Sequence, residues 1–127
     1  MRKVFLILTT LFTLSTSAQN ITWQNVNLNV PFENTQAVFN LIDGFYSNID
    51  IPEGIRVSLW SIEYKGSSEK ATHVLNFAGT KESLVDFESR KLSSEWDAYV
   101  SRLNSLTKRD GYGVTAGVTL VRYNIDK

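Results

Sequence analysis

Hydrophobic and polar positions change their period several times along this chain, and the order of the changes predicts a fold. Residues 22–30 alternate, with Val26, Leu28 and Val30 on one side and Asn25, Asn27 and Asn29 on the other. A period of two is that of a half-buried strand, and Pro31 closes it because proline cannot donate into a ladder. Over residues 34–47 the period lengthens, and Val38, Leu41, Ile42 and Phe45 form one helical stripe. Residues 55–64, rich in β-branched and aromatic types, and residues 72–77 read as two strands of a hairpin joined by the polar stretch Lys65-Gly66-Ser67-Ser68. Ala78-Gly79-Thr80 then reads as a turn.

Residues 81–106 are helical in two pieces. Leu84 and Phe87 share a face in the first, and Ser93-Ser94 interrupts. Ser94 with Asp97 resembles a capping box that restarts the helix. Trp96, Tyr99, Val100, Leu103 and Leu106 make the second stripe, with Lys108 and Arg109 near its end, where cations suit the helix dipole. Asp110-Gly111 is read as a turn and residues 113–123 as a last strand. Strand, helix, strand, strand, helix, strand is the split βαβ order of the ferredoxin-like α+β fold, an antiparallel four-stranded sheet with two helices on one face.

The run Phe87-Glu88-Ser89-Arg90 leading to Ser94-Glu95-Trp96, taken with this order and size, resembles the dimeric α+β barrel superfamily. Its members include the antibiotic-biosynthesis-monooxygenase-like and stress-responsive barrel proteins. The resemblance implies two sheets paired into a barrel across a homodimer, with a pocket between sheet and helices. No member's catalytic motif can be placed residue by residue, so it implies an architecture and no activity.

The beginning of the chain changes the picture of where the protein works. Arg2 and Lys3, an apolar run over residues 4–14, and Thr16-Ser17-Ala18 have the layout of a secretory signal peptide. An eleven-residue run spans about 16 Å as a helix, roughly half the hydrocarbon thickness, so it is a poor permanent anchor. The expectation is cleavage after residue 18 and one domain over residues 19–127, secreted or periplasmic in a bacterium, with no membrane anchor. The chain has no cysteine, which excludes disulfides, thiolate metal sites and a cysteine nucleophile. Its 13 basic and 13 acidic residues show no basic cluster beyond Lys108-Arg109, so nothing suits nucleic acid.

Candidate chemistry is sparse. If Val26, Leu28, Val57 and Leu59 face the helices, the opposite sheet face carries Asn27, Ser58, Trp60, Ile62, Tyr64, Thr119, Val121 and Tyr123. Such a face is too apolar to be left in water, and a second copy, a small organic ligand or a protein partner is expected to cover it. Asn27, Ser58, Trp60, Tyr64, Asn76 and Thr119 are the candidate ligand contacts. His73, the only histidine, is the candidate catalytic base, polarised by Glu63 or Asn76, against the plainer reading of a strand histidine bonded to a neighbour. Trp96 is expected in the core, and Glu82, Asp86, Glu88, Arg90 and Lys91 on a solvated helix face. No metal site and no cofactor is expected. Three readings follow: a non-enzymatic exported domain that dimerises and binds through its open sheet face; a cofactor-free or haem-dependent monooxygenase-like enzyme; and an accessory subunit of an envelope assembly.

Overall fold

The computed structural model describes residues 20–91 and 93–123; the expected signal peptide lies outside them. Strand β1 (Thr22–Asn29) leads through a 3-10 turn (Phe32–Asn34) into helix α1 (Thr35–Asn48). Strands β2 (Arg56–Ser61) and β3 (His73–Gly79) follow, then helices α2 (Lys81–Ser89) and α3 (Ser94–Leu106), then β4 (Lys108–Val118). The strands form one sheet in the order β2-β3-β1-β4, antiparallel at every pairing. This is the ferredoxin-like α+β arrangement expected from the sequence, its second helical segment split into α2 and α3. Among the described residues no helix is long and apolar enough to cross a membrane.

Side-chain alternation gives the sheet two unlike faces. The inner face carries Leu28, Leu75 and Phe77, all nearly inaccessible, with Val26, Val57 and Leu59 packed beside them. The helices answer with Val38, Ile42 and Tyr46 from α1, Leu84 and Phe87 from α2, and Tyr99, Leu103 and Leu106 from α3. The period-of-two and period-of-3.6 stripes therefore meet as predicted.

Both short helices begin on a hydroxyl. Thr80 Oγ1 accepts from the Ser83 amide at 3.2 Å, and Ser93 Oγ accepts from the Trp96 amide at 3.1 Å. Ser93, not Ser94, thus caps α3. Its extended backbone (φ −110°, ψ 158°) suits the cap position, whereas Ser94 is already helical.

Three strands, β2, β3 and β4, have boundaries that differ from expectation. β2 stops at Ser61, leaving Tyr64 in a loop and 96% exposed. One ladder bond continues past its end, Ile62 N donating to Thr72 O at 2.8 Å, while on its other side Thr72 joins β1, its amide donating to Leu28 O and its hydroxyl accepting from the Val30 amide. β3 runs on through Ala78 and Gly79, which pair with Trp23 and Thr22. Glycine is required there, since a Cβ on Gly79 would meet Gly54 O at 2.7 Å.

β4 begins at Lys108, so Lys108 and Arg109 open a strand and do not end a helix. Asp110-Gly111 is a bulge inside it, where Gly111 takes φ +93° and the register with β1 slips between Asn27 and Asn29. Asn29 Nδ2 donates to Asp110 O at 2.7 Å and holds the bulge. The strand ends at Val118. Thr119 still donates its amide to Ile21 O at 2.7 Å, but Val121 and Tyr123 lie beyond the sheet.

Candidate functional site

Rings from four elements fill the layer between sheet and helices. Phe45 of α1 stacks on Tyr99 of α3 with centroids 4.1 Å apart and planes 10° from parallel. Tyr46 meets Tyr99 edge-on at 5.7 Å and Phe77 of β3 at 5.8 Å. Phe87 of α2 lies 5.9 Å from Phe77, and Trp96 lies 5.4 Å from Tyr99. Offset and edge-on pairs of this kind add about 0.5–1.5 kcal/mol each beyond the area they bury. Because α3 packs on α1 through this layer, a space remains between α3 and the β1–β4 half of the sheet.

That space is a cavity of about 420 Å³, within the range of small-molecule sites. Its sheet wall includes Val26, Leu28, Leu75 and Val114, and its helix wall includes Val100 and Leu103. Tyr112 and Val114 on β4, 56% and 48% exposed, mark its open side. Polar groups in the lining come from Gln24, Glu88, Lys91, Asn104 and three tyrosines.

Tyr46 and Tyr99 are both buried, and neither hydroxyl has a hydrogen-bond partner among the described residues. A buried polar group without a partner costs about 1–3 kcal/mol. Burial pushes the Tyr46 phenol well above its ordinary range, with neighbouring Tyr99 adding to the effect. Burial likewise pushes Tyr99 up to about 12. Both phenols stay protonated.

Lys91 is the one cation in the lining. Its Nζ donates to Glu88 Oε1 at 2.6 Å and sits 4.8 Å from the ring centres of Phe77 and Trp96 and 5.3 Å from that of Phe87. Only 14% of its side chain is exposed. The expected solvated helix face therefore loses Lys91. Glu82, Asp86 and Arg90 do lie on the surface, with Arg90 bridging Asp86 and Asp50. Trp96, expected in the core, is half-buried and lines the cavity.

The candidates read from the sequence fall in three places. Asn27, Ser58, Trp60 and Asn76 gather on the outer face: Ser58 pairs with Asn76, Asn76 with Asn25, and Trp60 with Val74 beside Asn27. Asn76 is 7% exposed and donates Nδ2 to Asn25 Oδ1 at 2.6 Å. Trp23 joins this face unpredicted, its ring so close to Gly117 that a Cβ there would lie 2.6 Å from Cζ2. Tyr64 and Thr119 are not brought to this cluster, since both lie beyond strand ends.

His73 has the parity of Leu75 and belongs to the inner side, in a shallow hollow with Thr35, Val38 and Phe39. Its Nδ1 lies 2.8 Å from Thr72 Oγ1. Neither expected polarising partner reaches it. Asn76 points to the other face, and Glu63 accepts from Ser61 Oγ at 2.7 Å. Nor does His73 line the large cavity. Haem is poorly matched by that lining, which offers no imidazole or thiol, and whose two buried phenols, Tyr46 and Tyr99, are held protonated by burial. Among the described residues no group of three or more His, Cys, Asp or Glu side chains could hold a metal ion.

No family model matches the sequence, and no curated protein matches it significantly. Solved structures do match in fold. A hydroxynitrile lyase from Passiflora edulis superposes with a TM-score of 0.58 at 13% identity, covering 84% of this chain and 99% of that one. A conserved protein from Methanosarcina mazei Go1 gives 0.57 at 11% identity over 78% and 92%. A putative antibiotic biosynthesis monooxygenase from Nitrosomonas europaea gives 0.55 at 12% identity over 84% and 95%.

Two predictions follow from the buried groups. Desolvation lowers the His73 pKa from its ordinary 6.5, so protonation favours the unfolded chain. The stability linked to this group is whole above the unfolded pKa and is lost as pH falls through the folded one. An NMR titration of the imidazole is expected to show a midpoint below 6.5; a midpoint above it contradicts the assignment. Tyr46→Phe, which removes an unpaired hydroxyl, is expected to leave stability unchanged or raise it by about 1 kcal/mol in denaturant unfolding. A clear loss would mean that the hydroxyl is bonded.

The resemblance seen in the sequence is thus one of architecture: this chain has the ferredoxin-like α+β fold of the antibiotic-biosynthesis-monooxygenase-like proteins.

Proposed function

We propose that this is an exported binding protein for small aromatic molecules, which pairs with a second copy through its outer sheet face and takes its ligand in the inner cavity. The cavity carries the reading: about 420 Å³, with aliphatic and aromatic side chains on both walls and Gln24, Glu88, Lys91 and Asn104 set among them. Export rests on the signal-like layout of residues 1–18.

Pairing is supported by the outer face and by the fold. Trp60 is 51% exposed, and beyond β4 Leu120, Val121 and Tyr123 are 88%, 62% and 83% exposed. Large apolar groups left this exposed on a small domain favour burial against a partner. A second copy matches the paired sheets that the architecture implies. The sheet keeps the two tasks apart, because the cavity opens on the side away from Trp60.

Binding is preferred to turnover on the composition of the lining. The neighbours include a hydroxynitrile lyase and a putative monooxygenase, but at such low identity they carry the fold and no chemistry. The acid–base groups of the cavity are a lysine already paired with a glutamate, two phenols that burial keeps protonated, and the exposed phenol of Tyr112 at the open side.

Two measurements test the proposal. Sedimentation at micromolar concentration is expected to give a dimer, and Trp60→Glu a folded monomer; a monomeric wild type removes the pairing. Calorimetric titration with 2-naphthylmethanol, a neutral two-ring probe, is expected to show one site per chain. Leu103→Trp, which fills the cavity, should abolish that site, whereas binding that survives the substitution would place the ligand elsewhere.

A further inference from the structure

We infer that the ligand of this cavity is an aromatic carboxylic acid, its carboxylate anchored on Lys91 Nζ in place of Glu88. The inference rests on the cavity reading above and adds to it the charge of the ligand. It starts from an imbalance at Lys91. An ammonium has three N–H donors. Among the described residues one hydrogen bond is made, to Glu88 Oε1 at 2.6 Å. The other neighbours within reach are the ring faces of Phe77, Phe87 and Trp96. Ring faces attract a cation by their quadrupole, but they are not oxygen acceptors. A buried cation with donors to spare is matched best by an anionic oxygen.

The placement of the pair favours exchange. Glu88 has 48% of its side chain exposed and can turn into water, whereas Lys91, 14% exposed, is held among the rings. Both line the cavity, and so does the ring of Trp96. An aromatic acid entering between the β1–β4 surface and α3 would set its rings on Val26, Val100 and Leu103 and bring its carboxylate to the ammonium. Arg90, the neighbouring cation, is already bridged to Asp86 and Asp50 on the surface. The lining therefore supplies one positive charge, which suits a monoanion better than a dianion such as phosphate. Gln24 and Asn104, also in the lining, offer amide donors for a second oxygen.

The test compares two probes of one shape, 2-naphthoate and neutral 2-naphthylmethanol, by calorimetry on the full-length folded protein. Naphthoate is expected to bind at least about tenfold more tightly. Lys91→Met should erase that preference while leaving the neutral probe within about twofold, and Lys91→Arg should keep it. Glu88→Gln should tighten naphthoate alone, because it removes the negative charge that competes for the ammonium and repels the ligand's carboxylate. This last variant leaves the lysine in its cage, so it serves even if Lys91→Met unfolds. Equal affinity for the two probes, or no response to Glu88→Gln, overturns the assignment of the acid and leaves the cavity reading standing. Failure of both probes to bind overturns the cavity reading and this inference together.

Discussion

Phe45 lying flat on Tyr99 is the contact on which the rest of this structure depends. It ties α3 to α1 and not to the sheet, and the rings around it extend the tie to β3 through Phe77 and to α2 through Phe87. Protein interiors are close-packed, so a helix held off by bulky rings on one side leaves a gap on the other that its neighbours cannot fill. The gap between α3 and the β1–β4 surface has this origin. So do the two unpaired phenols, which are carried into the layer by rings needed for packing. The same layer closes three ring faces around Lys91. One packing decision thus produces the space, its apolar character and its single cation.

Most of the fold was legible because the sequence states it redundantly. Val26, Leu28 and Val30 alternate, Val38, Ile42 and Phe45 fall on one stripe, and a glycine or proline stands near most junctions. What misled was local signal overruled by pairing. Ile62 and Tyr64 continue the alternation of β2, but its ladder ends at the bond from Ile62 N to Thr72 O, and alternation beyond the last pairing is not a strand. Lys108-Arg109 and Asp110-Gly111 resemble a helix end and a turn, yet Asn29 and the register of β1 draw both into β4. A short-range signal cannot report a partner 81 residues away.

The site was less legible than the fold for a related reason. Outer-face candidates came from parity alone, and parity did bring Asn27, Ser58, Trp60 and Asn76 together. Parity says nothing of a gap between layers, so Leu103 and Val100 read only as core. Lys91 read as a surface charge because the residues around it are charged. Its spacing held a hint, four residues after Phe87 and five before Trp96, which brackets a cation with aromatic rings at a helix boundary. His73 failed as a base for want of geometry: its parity sends it to a different hollow from the polar residues expected to serve it.

The central claim is that the aromatic layer holds open a ligand space on the helix side of the sheet. Intermolecular NOEs between the ring protons of bound 2-naphthoate and the protein's methyl groups test it most directly. The account predicts contacts with Val26, Val100, Leu103 and Val114, and with the Trp96 ring. Contacts confined to Trp23, Trp60 and Val74 on the other side of the sheet would contradict it.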